Sequence, residues 1–111
     1  MNDQDHQKPI RVADGDELGD VLASHDRVLV EFYTKGCAIC AAIEPVLGNV
    51  ARQTGITVAM ANPGDDIDLV DEWGIRSAPT LVLVEDGEEV ARLDEGFQGG
   101  DAIEGFLAEH T

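Results

Sequence analysis

Val28-Leu29-Val30-Glu31-Phe32-Tyr33-Thr34-Lys35-Gly36-Cys37-Ala38-Ile39-Cys40 joins an apolar run to two cysteines three positions apart. Residues 28–33 are rich in β-formers and, Glu31 apart, apolar on both faces, which is the pattern of a central strand covered on both sides. Thr34-Lys35-Gly36 reads as a turn. A helix is expected from about Cys37, because Ile39, Ile43, Val46, Leu47 and Val50 recur at helical spacing and mark a buried face. Pro45 lies inside that helix, where it should introduce a kink.

Working outward, Pro9–Ala13 reads as a short edge strand with its proline at the start. Asp14 and Glu17 have capping-box spacing, and Leu18, Val21 and Leu22 follow at helical intervals until His25-Asp26. Downstream, Ile56–Ala61 alternates as a strand and Asn62-Pro63-Gly64 breaks it. Asp65–Trp73 is expected to be a short helix with an acidic first turn. Thr80–Glu85 and Glu88–Asp94 read as strands joined by Asp86-Gly87, a strong hairpin signal. After Gly99-Gly100, Asp101 and Glu104 repeat the capping-box spacing before a helix whose apolar face is Ile103, Phe106 and Leu107. The order is β-α-β-α-β-α-β-β-α, an α/β fold with helices on both sides of the sheet. Residues 1–8 are expected to be a flexible N-terminal tail, and 9–111 a single domain.

A C-x-x-C pair at the start of a helix that follows a central strand has a physical logic. The first sulfur sits by unpaired N–H groups at the positive end of the helix, which stabilises a thiolate. The second lies one turn on, close enough for a disulfide. Cys37, at the exposed end, is the natural nucleophile, and Cys40, facing the helix interior, the natural resolving thiol. Two buried, inert cysteines are the alternative. A structural zinc site needs four ligands, and His6, His25 and His110 lack the spacing of a second ligand pair, so no metal is expected.

From Val28–Cys40, Pro45, Trp73-Gly74-Ile75-Arg76-Ser77-Ala78-Pro79-Thr80, Asp86-Gly87-Glu88 and Gly96, the chain resembles the thioredoxin family over nearly its whole length. The resemblance implies the thioredoxin fold, a central mixed β-sheet flanked by helices on both faces. It implies a cis-proline at Pro79 beside a redox-active Cys37–Cys40 disulfide, with Ala78 pairing its backbone with substrate. It makes Glu31 the longer analogue of a buried aspartate that takes the proton of Cys40. It also implies an apolar substrate platform of Gly36, Ala38, Ile39, Ala78, Gly96 and Phe97. The implied activity is reduction of protein disulfides through a mixed disulfide, with no bound cofactor. Disulfide-containing target proteins and a thioredoxin-reductase-type enzyme would be its partners. The same fold also hosts oxidases, isomerases and glutaredoxin-like enzymes, and a non-catalytic redox-sensing binding module would carry the same cysteines. Ala38-Ile39 replaces the common Gly-Pro between the cysteines, Tyr33 and Gly36 stand where tryptophans are frequent, and Met60 stands where a lysine often approaches the buried acid. These departures bear on redox potential and partner choice, and the loss of a cation at Met60 should leave Glu31 easier to protonate.

The 111 residues carry 23 acidic side chains against 7 Lys and Arg, a formal net charge of −16. That balance disfavours nucleic-acid binding, which needs basic patches. The acids are spread along the whole chain, as on a solvated surface adapted to molar salt, so a halophilic host is expected. No apolar run is long enough to span a membrane, and Met1–Lys8 lacks the basic head and apolar middle of a secretory signal. A cytoplasmic monomer is the expectation.

Overall fold

The computed structural model describes residues 8–110. The expected tail therefore lies, Lys8 excepted, outside the described residues. Among the described residues nine elements follow in the expected order: β1 (Ile10–Val12), α1 (Gly15–Ser24), β2 (Arg27–Phe32), α2 (Ala38–Thr54), β3 (Thr57–Ala61), α3 (Asp68–Trp73), β4 (Thr80–Glu85), β5 (Glu88–Leu93) and α4 (Gly100–Glu109). The sheet order is β1-β3-β2-β4-β5. β1, β3 and β2 run parallel, whereas β4 and β5 pair antiparallel, so the sheet is mixed.

β2, β3 and β4 bury both faces, whereas the edge strands β1 and β5 are mostly exposed or half-buried. Leu29, Val58, Leu81 and Leu83 turn toward α2 and α4, where Ile43, Leu47, Ile103 and Phe106 meet them. Val28, Val30, Phe32, Ala59 and Val82 turn the other way, onto Leu18 of α1 and Leu69 of α3. β2 is the middle strand, and Val28 through Phe32 are all buried, as its unbroken apolar run requires.

Local signals place most boundaries. The Asp14 carboxylate accepts from the N–H of Glu17 at 2.9 Å, and Glu17 reciprocates by accepting from Ala13 N at 2.8 Å. Asp86 and Gly87 both have positive φ, 52° and 84°, the requirement of a two-residue hairpin turn whose twist matches the strands. α2 ends on Gly55 in the left-handed conformation, its N–H bonded to the Ala51 carbonyl.

Three expectations need correction. α3 begins at Asp68 rather than Asp65, because the N–H groups of Asp65 and Asp66 are taken by the carbonyls of Asn62 and Pro63 in successive turns. The Asp66 carboxylate is itself engaged by the N–H groups of Gly15 and Asp68. Asp101 does not cap α4: the cap is Gly99, and the helix has already begun at Gly100, so Asp101 acts only as a first-turn anion facing the helix dipole. Ile39 is not on the buried face of α2 but 44% exposed, since the first turn of the helix projects beyond the sheet.

Candidate active site

The loop after β2 delivers Cys37 to the N-cap of α2. The Cys40 N–H donates to Cys37 Sγ at 3.1 Å, so sulfur occupies the place that a serine or aspartate oxygen usually fills at a helix start. Cys37 and Cys40 form a disulfide with Cα atoms 5.2 Å apart. Cys37 is half-buried at the surface, whereas Cys40 is 4% exposed. α1, α3 and α4 all carry aspartate in their first turn, but α2 carries no acid there. In so acidic a chain this leaves the positive end of α2 free to stabilise a thiolate at Cys37.

The Ala78–Pro79 peptide bond is cis, Pro79 is buried, and the Ala78 carbonyl oxygen lies 3.8 Å from Cys37 Sγ. Gly36, Ala38 and Ile39 are exposed on the turn and first helical residues around the disulfide. Gly96 and Phe97 follow β5, and the pairing of Leu81 with Leu93 carries them to the end of the sheet where Phe32 and Thr80 meet. Phe97 is 52% exposed there.

Glu31 is fully buried, and among the described residues neither carboxylate oxygen has a hydrogen-bond partner. Burial pushes its carboxyl up to about 7; the negative charge of Glu44 adds to the rise and Arg11 opposes it. Met60 is its β3 neighbour, as an apolar replacement should be, yet a cation still approaches, from β1.

Two features went unread in the sequence. A groove of about 570 Å³ runs along the other flank of Cys37, between Tyr33 and Thr34 on one side and Ile67, Ile75, Arg76 and Ala78 on the other. Ile67 is 77% exposed, and an isoleucine set among Asp65, Asp66 and Asp68 was the available signal. The second is the pairing of Arg11 with Glu44, which no local pattern announces.

The thioredoxin family model matches residues 10–109. The chain belongs to the thioredoxin family. It is 35% identical to the thioredoxin of Mycobacterium tuberculosis over 95 residues, covering 84% of this chain and 82% of that one. It is 33% identical over 86 residues to the bifunctional thioredoxin reductase/thioredoxin of Mycobacterium leprae, covering 76% of this chain and 19% of that one. A mutant thioredoxin from Halobacterium salinarum NRC-1 superposes with a TM-score of 0.88 at 36% identity, over 96% of this chain and 93% of that one. The fold is the thioredoxin fold, and this member is a thiol–disulfide oxidoreductase acting on protein disulfides, its redox group the close Cys37–Cys40 pair. Among the described residues no helix is long and apolar enough to cross a membrane, and no group of three or more His, Cys, Asp or Glu could hold a metal ion.

Proposed function

We propose that the chain is a cytoplasmic, monomeric protein-disulfide reductase in which Cys37 is the nucleophile and Cys40 the resolving thiol. The observation that carries the assignment is the asymmetry of the pair: Cys37 borders the open groove at a helix end free of acids, while Cys40 is buried one turn behind it. The Cys37 thiolate attacks one sulfur of the target disulfide, whose S–S bond breaks and whose other sulfur leaves as a thiolate. Glu31 takes the proton of Cys40. The Cys40 thiolate then attacks Cys37 Sγ, closing the intramolecular disulfide and releasing the second target sulfur. Two electrons pass to the target, and a thioredoxin-reductase-type enzyme returns them. The fused reductase of the Mycobacterium leprae relative supports that partner.

A carboxyl titrating near neutrality accepts a proton and releases it again at working pH, which suits Glu31 to the task. Gly36, Ala38, Ile39, Gly96 and Phe97 form the platform for an extended target segment, whose backbone pairs with Ala78 beside Pro79. The exposed side chains of Ile39 and Phe97 support this reading.

The deciding measurement is the reduction potential of the Cys37–Cys40 pair. A value near −270 mV, roughly that of reducing thioredoxins, is expected; one of about −120 to −180 mV would make the chain an oxidant or isomerase. Reduction of the pair by glutathione in preference to a reductase would make it glutaredoxin-like, and a single turnover on insulin would leave a redox-sensing binding module.

The charge of −16 and the halobacterial relative support a salt-adapted surface. Molar KCl screens the repulsion among acids, so Tm should rise as KCl rises from millimolar to molar. A Tm that fell with KCl would sink the halophilic reading.

A further inference from the structure

We infer that the ion pair of Arg11 and Glu44 governs the protonation of Glu31, making both of them positioning residues for the buried acid. Strand register carries the argument. Across all five strands, one row reads Arg11, Met60, Glu31, Leu81 and Leu93. Paired residues direct their side chains to the same face, so Arg11 and Glu31 share a face at two strand spacings, about 10 Å. α2 covers this face. Cys40 and Glu44 are one turn apart on it, and Arg11 Nη2 donates to Glu44 Oε2 at 2.6 Å. The Arg11 guanidinium also lies 5.3 Å from the centre of the Tyr33 ring, so the edge-strand cation is held from two sides.

The pair stands over the disulfide. Arg11, Glu44, Tyr33, Met60, Cys37 and Cys40 line a cavity of about 180 Å³. The remaining members of the row are apolar, as are the α4 side chains buried on this face, Ile103, Phe106 and Leu107. Among the described residues, Arg11 from β1, Tyr33 after β2, and Glu44 with the two cysteines of the α2 start are the titratable groups lining that cavity on the face that Glu31 shares. Within the ion pair, the charge of Glu44 favours the protonated acid and that of Arg11 the carboxylate. Buried and, among the described residues, without a hydrogen-bond partner, Glu31 responds to both charges. Arg11 thus supplies, from one strand further out, the cation that Met60 lacks.

The bearing of this pair on catalysis rests on Glu31 as the proton acceptor of Cys40; its control of Glu31 does not. The test is a carboxyl-carbon NMR titration of Glu31 in the full-length reduced protein, its signal assigned by loss in Glu31→Gln. Both partners are about half exposed, so Glu44→Gln and Arg11→Met should fold. At low salt Glu44→Gln should move the Glu31 midpoint down, and Arg11→Met should move it up, each by about half a pH unit. Arg11→Lys should restore the midpoint. Molar KCl should shrink both displacements, since half-exposed charges are screened, whereas a change in packing would persist. A midpoint unmoved in both variants, or moved the same way in both, overturns the inference. The resolution rate of a preformed mixed disulfide, followed against pH, separates the two claims. If it tracks the midpoint, both stand. If the midpoint moves and the rate does not, Glu31 is not the acceptor and the pair's control of its protonation stands.

Discussion

Cys37→Ser is expected to abolish disulfide reduction, lowering turnover on insulin by on the order of 10³-fold or more, because the hydroxyl at that position is a far weaker nucleophile than the thiolate it replaces. Cys40→Ser is expected to behave differently. Cys37 keeps its helix N-terminus and its groove, so the first attack proceeds, but nothing displaces the target from the mixed disulfide. The variant should accumulate a covalent adduct with one equivalent of target, detected by mass spectrometry and released by dithiothreitol. A Cys40→Ser variant that turned over while Cys37→Ser trapped the adduct would reverse the two roles. The burial of Cys40 argues against that reversal, since a target sulfur cannot approach it in line.

The second large effect concerns stability. Glu31→Met should raise the unfolding free energy by about 4 kcal/mol at pH 8, with a much smaller gain of about 1 kcal/mol at pH 4. The sign follows from the raised carboxyl. Below pH 4.5 the folded and unfolded chains both hold the proton, and the folded state buries only a neutral acid. Between pH 4.5 and about 7 the unfolded chain loses a proton that the folded chain keeps, so stability falls as the pH rises. Above about 7 the penalty is complete and constant. Methionine has nearly the same volume and no polar atoms to orphan, so it removes the penalty without opening a cavity. Urea midpoints of the two proteins across this range check the prediction; a difference independent of pH would show that Glu31 titrates alike in both states. With Glu31 in its proposed role as proton acceptor, the same variant should resolve mixed disulfides slowly, a trade of stability for activity.

Charge distribution tells a consistent story at both sites. The chain is densely acidic, yet the first turn of α2 is kept free of acid, and the acid nearest the disulfide on α2, Glu44, is neutralised by Arg11. An unpaired anion at either place would oppose formation of the Cys37 thiolate or hold the proton on Glu31.

Much of this was legible in the chain of residues. Val28–Phe32 reads as a doubly covered strand, and Asp14 with Glu17, and Asp86-Gly87, mark their boundaries by chemistry within a few residues of themselves. The cysteines needed only their place at the start of a helix. Those signals are local, and local hydrogen bonding and periodicity are what a sequence displays. The misplaced starts of α3 and α4 have the same origin in reverse. Asp65, Asp66 and Asp101 satisfy helix-start patterns, but neighbouring carbonyls and a Gly99 cap took the positions first.

What the residues alone determined, then, is an α/β chain with a C-x-x-C pair at the helix start after its central strand. The tertiary structure alone decided the environment of that pair. Whether Glu31 reached solvent depended on which helix lay over it. That Arg11 stands in its row depended on β1 pairing with β3 rather than at another edge. The groove along Cys37 exists because the turn after β3 and the loop before Pro79 converge beside it. Burial, register and convergence join residues tens of positions apart, and their energies belong to the packed pairs, which no stretch of sequence contains.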